Sequence, residues 1–390
     1  MPVSNLKIRP NLKNFDYFAT LKNHFLDLQG SNEFFLREKS ELEEFMPKDP
    51  ETLLFLLRSM LKTRLAEEKV ARIAGREVHG SAFFGTGHEA ISCGVAAAMK
   101  YEDPPLPTHR EIGCDFTRGE EALKRGDIKL PFSYTYIAQY MSKADSLGRG
   151  RVENIHYGIP EMSRPPIISH LGTNIPIACG IALMEKHRKS GLVAYTFVGD
   201  GATSSADFQG LNQAAARQWP LITVIANNQW AYRTTLEEQT RAIPLVRKAE
   251  NFGIRGFCVD GTDVLAVYAL TKMAREIALS GTPVLQECVT YRLCGHSIYD
   301  PREKYDDKEK WAKWSAVEPI GRFEEYLKEK GIVPESEIQK EKDEAAKEIE
   351  NALEFAQKSP EPEAANLLSG LYACAAAQEW LEKIERRRQP

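Results

Sequence analysis

No CxxC pair occurs in this chain, and its seven cysteines (93, 114, 179, 258, 288, 294 and 374) stand singly and sum to an odd number. That pattern excludes a disulfide framework and a cysteine zinc site, and it suits a reducing compartment. No run approaches the roughly 18 apolar residues of a membrane span, and the N-terminus lacks the apolar core of a secretory signal. Neither sign of charge dominates: 51 basic and 55 acidic residues leave a net charge of −4, so no broad basic field exists for nucleic acid. Lys7, Arg9 and Lys13 precede the first acid, but the Arg and Ser enrichment of a transit peptide is missing. A cytoplasmic (bacterial) location is expected, ahead of the mitochondrial matrix.

A hydrophobic content of 43% over 390 residues is ample for a large core. From about Phe15 to Lys69 the pattern is charged and helical, which predicts an N-terminal helical arm over 1–70. Residues 71–305 alternate small-residue helices with apolar strands, as in HEAISCGVAAAMK, LVAYTFVGDG and LITVIANN, which predicts an α/β domain built on a mostly parallel sheet with helices on both faces. Residues 306–390 turn charged and helical again and read as a C-terminal helical extension.

The most informative segment lies inside the α/β region. The apolar run Leu192 to Val198 ends in Gly199-Asp200-Gly201, a helix is predicted from about Ala206 to Gln218, and the run Leu221 to Ala226 ends in Asn227-Asn228. A strand, crossover helix and strand force the two strands parallel, about 4.8 Å apart, so Asp200 and Asn228 emerge side by side at one sheet edge. A carboxylate and an amide oxygen there suit Mg²⁺, whose shell is completed by phosphate oxygens. The flanking glycines admit a diphosphate close to the backbone, and the next helix is expected to offer unpaired amides. A rival pattern, Gly85-Thr-Gly87-His-Glu-Ala90, matches a dinucleotide fingerprint, but the preceding HGSAFF is a poor strand.

GDG followed at this interval by NN resembles the diphosphate motif of thiamine diphosphate enzymes. TYRLCGHSIYDP (Thr290 to Pro301), ISHLGTNIPIACGIALMEKHR (Ile168 to Arg188) and CVDGTDVLAVYALTK (Cys258 to Lys272) extend the similarity over roughly residues 50 to 360. On these segments the chain resembles the alpha subunit of the decarboxylating first component of 2-oxoacid dehydrogenase complexes, the family of branched-chain, pyruvate and acetoin dehydrogenases. The resemblance implies a thiamine diphosphate-binding fold with the two helical extensions.

Site roles carry over residue by residue. Asp200 and Asn228 would bind Mg²⁺ with the backbone carbonyl of Trp230, where the family usually has Tyr. Gly201 and Ala202 would line the diphosphate, Arg110 would clamp it, and His109 stands where the family has Tyr. Ser169 and Leu171 would present backbone groups to the aminopyrimidine ring, and K⁺ is a further ion that Thr173 and Asn174 match in part. His296 corresponds to the catalytic loop histidine that also touches the diphosphate, and Ser297 to a serine phosphorylated in mitochondrial members. Ala226 replaces an Arg of many branched-chain members, so one phosphate contact is expected to be missing or to be replaced, with Arg233 as the candidate replacement. His156 resembles a loop histidine of branched-chain members.

The implied reaction is oxidative decarboxylation of a 2-oxoacid with transfer of the acyl group to lipoyl-lysine. The Glu that activates the cofactor belongs to a separate beta subunit, so an α₂β₂ assembly docking the lipoyl domain of an acyltransferase core is expected. The loops IHYG and ADSLGRGR favour a branched-chain substrate slightly over pyruvate; an acetoin dehydrogenase subunit and a degenerate, non-catalytic subunit remain the alternatives. The loop Tyr291 to Tyr305 is expected to have few apolar contacts and to order only around the cofactor.

Overall fold

The computed structural model describes residues 35–36, 39–78, 80–152 and 154–366; most of the first half of the expected arm and the end of the expected C-terminal extension lie outside the described residues. The strands, in chain order, are β1 (Phe35–Leu36), β2 (Pro105–Leu106), β3 (Ala194–Gly199), β4 (Leu221–Asn227), β5 (Trp230–Ala231), β6 (Thr234–Thr235), β7 (Arg255–Asp260) and β8 (Val284–Val289). Six of them form one sheet in the order β1-β7-β8-β4-β3-β2, and every neighbouring pair is parallel. β5 and β6 make a small antiparallel hairpin.

The central strands are apolar on both faces because both faces are covered. On β3 and β4, Tyr195, Phe197, Ile222 and Val224 point to one side, where they meet Ile91 and Val95 of α2 (Glu89–Ala98) and Val267, Leu270 and Ala274 of α8 (Val264–Leu279). Ala194, Val198, Leu221 and Ile225 point to the other, against Ile175, Ala178 and Ala182 of α5 (Asn174–Arg188) and Leu211 and Ala214 of α6 (Gly210–Arg217). This two-sided layering is the α/β fold class expected from the strand–helix alternation.

α1 (Pro50–Ile73) starts where Asp49 accepts the Thr52 N–H at 2.8 Å and Pro50 presets the first turn. Its Leu53, Leu56, Leu57 and Met60 pack on Ile320 and Phe323 of α10 (Pro319–Lys330) and on Ile338 and Ala345 of α11 (Glu335–Lys358). Charged positions along these helices also face inward: Lys62 bridges Glu120 and Glu348 at 2.5 and 2.6 Å, and Arg58 pairs with the buried Glu341 at 2.5 Å. The charge run of α11 is therefore not a purely solvated face.

The expected crossover helix is shorter than predicted. Asp200–Ser204 and Ala206–Gln209 form 3₁₀ turns, and α-helix begins only at Gly210. Thr203 explains the tight turn: its hydroxyl donates to the Asp200 carbonyl at 2.7 Å while Lys248 holds Thr203 at 2.7 Å. The amides at the start of α6 thus stand ten residues beyond Asp200, and the helical turn that directly follows β3 is the 3₁₀ turn Asp200–Ser204.

Candidate active site

β3 and β4 run in register with Gly199 opposite Ala226, so the residues that follow each strand share one edge. There a cavity of about 470 Å³ opens, within the range of small-molecule and cofactor sites. His109, Arg110, Ser169, Leu171, Asp200, Gly201, Ala202, Asn228, Trp230 and His296 all line it, as does Asn174, whereas His156, Thr173, Arg233 and Ser297 are not among the lining residues.

The two asparagines of the Asn227-Asn228 pair divide their work. Asn227 donates to the buried Glu287 of β8 at 2.7 Å, which anchors the strand end. Asn228 lines the cavity; its Oδ1 accepts the Trp230 backbone N–H at 3.0 Å and its Nδ2 lies 3.1 Å from His88 Nε2. The Trp230 indole belongs to a cluster with Tyr291, Leu293 and Trp314. Gly201 is required by packing: a Cβ there would fall 2.7 Å from the Ala231 Cβ.

Asp200 is 1% exposed and accepts one side-chain hydrogen bond, from Gln239 at 2.8 Å. Among the described residues no cation lies within ion-pairing distance of it, and burial raises its carboxyl above the usual range. Arg110 shows the complementary mismatch. Its guanidinium donates to the Phe84 and His296 carbonyls at 2.6 and 2.7 Å rather than to a carboxylate, and burial lowers its pKa. A buried negative charge and a buried positive charge, neither of them neutralised by an ion pair among the described residues, therefore face one cavity.

Of the histidines that line or flank the cavity, His109, His156 and His296 are held below the ordinary imidazole range. Burial, with His156 and Arg110 close by, pushes His109 down to about 3, and burial with Arg110 and Arg292 brings His296 down to about 4. Among the described residues His109 Nε2 is buried without a hydrogen-bond partner, and its ring stands edge-on to His156, whose Nε2 meets Ser169 Oγ at 2.5 Å. The His156 loop is tied to the domain through Arg164 and Asp115, a fully buried pair at 2.8 Å. Thr173 donates to Asp207 at 2.6 Å instead of capping α5, and Asn174 Oδ1 is buried with no partner among the described residues.

The loop after β8 has more fixing contacts than its polar sequence suggests. Tyr291 is 1% exposed and stacks on Trp314, and Leu293 is buried beside it. Asp300 accepts the His296 N–H at 2.8 Å and pairs with Arg233 at 2.8 Å. Against the cost of its burial, the bonds from Tyr305, Arg233 and the His296 amide hold Asp300 down at about 2. Arg233 is consequently half-exposed and committed to this loop, so it does not replace the phosphate contact that Ala226 lacks.

Sequence reasoning missed Gln239, and it left His88 and Glu111 without roles. His88 belongs to the rejected dinucleotide pattern, Glu111 adjoins Arg110, and Gln239 is the last residue of α7 (Leu236–Gln239). No local spacing links them to Asp200 or Asn228; only the fold does. Glu67 also escaped notice. It lies under the Gly85 turn, accepting the Gly85 N–H at 2.7 Å, and burial together with the nearby Glu89 pushes it up to about 8. Because its folded pKa exceeds the unfolded one, stability falls as pH rises from about 4.5 to 8 and the penalty is complete above that. Glu67→Gln is expected to leave stability near wild type at pH 5 and to raise it by about 1–3 kcal/mol at pH 8.5, measured by thermal unfolding at the two pH values.

A strand-edge cavity on a doubly covered parallel sheet defines an α/β protein with a cofactor-type pocket. Comparison with known proteins makes this specific: residues 57–365 match the family described as Dehydrogenase E1 component, and the chain belongs to that family. It is 35% identical over 291 residues to the 2-oxoisovalerate dehydrogenase subunit alpha 1, mitochondrial, of Arabidopsis thaliana, a match covering 73% of this chain and 59% of that protein. To the pyruvate dehydrogenase E1 component subunit alpha of Bacillus subtilis (strain 168) it is 32% identical over 343 residues, covering 86% of this chain and 87% of the relative. The mitochondrial 2-oxoisovalerate dehydrogenase subunit alpha of Macaca fascicularis is 32% identical over 295 residues, with 75% and 64% covered. The chain thus spans well under two thirds of the length of the Arabidopsis relative. Among the described residues no helix is long and apolar enough to cross a membrane.

Proposed function

We propose that this chain is the alpha subunit of a thiamine diphosphate- and Mg²⁺-dependent 2-oxoacid dehydrogenase, which decarboxylates a 2-oxoacid and passes the acyl group to lipoyl-lysine. The observation that carries this reading is the pair of buried charges in one cavity that, among the described residues, have no ionic partner: Asp200 has no cation and Arg110 no carboxylate. A divalent cation bound together with a diphosphate supplies both. Among the described residues no three His, Cys, Asp or Glu side chains converge as a metal cluster, which suits a hard cation that takes amide, carbonyl and phosphate oxygens. Asp200, Asn228 and the Trp230 carbonyl would hold the cation. Arg110 would clamp the diphosphate beside Gly201 and Ala202, and Ser169 and Leu171 would border the aminopyrimidine.

Thiamine diphosphate, when bound, supplies the carbon nucleophile and electron sink that decarboxylation requires. The chain's own residues bind, orient and exclude water. Neutral His296, held by Arg110 and Asp300, can donate or accept a hydrogen bond near the diphosphate without adding charge. His109 Nε2 is a second buried group in need of a partner. Half of the activation machinery belongs to a beta subunit in this reading, so an α₂β₂ assembly and an acyltransferase lipoyl domain are the partners. A branched-chain 2-oxoacid is favoured slightly over pyruvate, in keeping with relatives bearing both names.

The test is reconstitution. The purified chain with its beta partner, thiamine diphosphate and Mg²⁺ is expected to decarboxylate 2-oxoisovalerate faster than pyruvate, and the chain alone to be at least ~100-fold slower on either. Equal rates with and without the beta partner would refute the shared-site reading. Activity on neither acid, despite cofactor binding, would favour the non-catalytic alternative.

A further inference from the structure

Along the cavity wall runs a largely buried chain of side chains. Thr108 Oγ1 donates to Glu111, Glu111 Oε1 lies 3.0 Å from His88 Nδ1, and His88 Nε2 lies 3.1 Å from Asn228 Nδ2. His88 and Glu111 are each 1% exposed. The Trp230 backbone N–H, 3.0 Å from Asn228 Oδ1, can only donate, so the amide presents its oxygen to Trp230 and its NH₂ to His88. An NH₂ can only donate, so His88 Nε2 is the acceptor in that contact. The carboxylate of Glu111 can only accept, so the N–H of the ring lies on Nδ1. Turning the amide over would set donor against donor at Trp230 and acceptor against acceptor at His88, losing both bonds at once.

We propose that His88 is a positioning residue for the cation site: oriented by Glu111, it locks the Asn228 amide so that the oxygen, not the NH₂, stays available as a ligand. The inference rests on the reading of Asn228 as a Mg²⁺ ligand. Oδ1 has two acceptor directions, and the Trp230 N–H uses one of them. The backbone reinforces the arrangement. Glu111 and Arg110 belong to one 3₁₀ turn (His109–Glu111), and the Gly85 turn that leads into His88 lies flat on it; a Cβ at Gly85 would fall 1.9 Å from the Arg110 carbonyl oxygen. The turn that aims Arg110 at the cavity therefore also aims Glu111 at His88, and so fixes both ends of the cofactor site together. Partners one shell out from a metal ligand commonly contribute 10–100-fold to its affinity.

The test uses Mn²⁺ as a paramagnetic stand-in, titrated into the full chain with its beta partner and saturating thiamine diphosphate, with free Mn²⁺ read by electron paramagnetic resonance. His88→Leu is expected to weaken Mn²⁺ binding about 10–100-fold. His88→Gln, whose Oε1 can accept from Asn228 while its NH₂ donates to Glu111, is expected to bind within about threefold of wild type. Rescue by Gln separates positioning from mere core filling, and it does not require that the Leu variant fold. Nitrogen NMR of wild-type His88 should show the Nδ1–H tautomer. Unchanged affinity in His88→Leu, equal loss in both variants, or an Nε2–H tautomer would each overturn the proposal. If wild type itself binds no Mn²⁺, the cation-site reading fails and this inference with it; if all variants bind like wild type, only the inference fails.

Discussion

Asp200→Ala is expected to weaken Mg²⁺-dependent thiamine diphosphate binding by more than ~100-fold, since the loss of a direct ligand should exceed that of an outer-shell partner. The same variant should not unfold the apo chain. Asp200 is a buried carboxylate with one side-chain donor and no ion-pairing cation among the described residues, so its removal relieves a desolvation cost. Its raised pKa sets the sign. The cost is absent below the ordinary carboxylate range and complete above the raised folded value, so at pH 8 apo Asp200→Ala should melt no lower than wild type. Calorimetric titration and thermal unfolding on one preparation check both halves. Intact cofactor affinity would sink the metal assignment, and a collapse in apo stability would show that Asp200 serves the fold.

Arg110→Lys is the second large effect. The charge is kept, but the planar fork that reaches the Phe84 and His296 carbonyls at once is lost. Lysine offers a point charge on a flexible stem, so two oriented bonds to a diphosphate cannot form with the same geometry. Roughly 3 kcal/mol of diphosphate binding should be lost, on the order of 100-fold in affinity. The His296 carbonyl also loses its donor, so the segment from Cys294 to Asp300 should become more sensitive to limited proteolysis. Wild-type affinity in this variant would place the diphosphate elsewhere.

The candidate site was legible in the sequence wherever a short motif fixes its own geometry. Gly199-Asp200-Gly201 and Asn227-Asn228 end neighbouring parallel strands because the segment between them reads as a crossover, and parallel pairing then has one outcome. The α/β class followed from the same alternation of short apolar runs with small-residue helices. The helix boundary did not, because whether residues 200–209 coil as 3₁₀ or α is decided by Lys248, far along the chain, binding Thr203. The loop after β8 looked loosely held because its anchors, Trp314 for Tyr291 and Arg110 for His296, are distant in sequence.

The chain by itself thus determined that Asp200 and Asn228 reach one sheet edge and what chemistry they can offer there, since residue type and strand-end position are local properties. Only the tertiary structure decided how those residues are held. Gln239 on Asp200, and Glu111 through His88 on Asn228, join positions 23 to 140 residues apart. The tertiary structure also decided that Arg233 pairs with Asp300, and that Asp200 and Arg110 have no ionic partner among the described residues. A charge's partners depend on which segments pack together after folding, and no spacing along the chain encodes that packing.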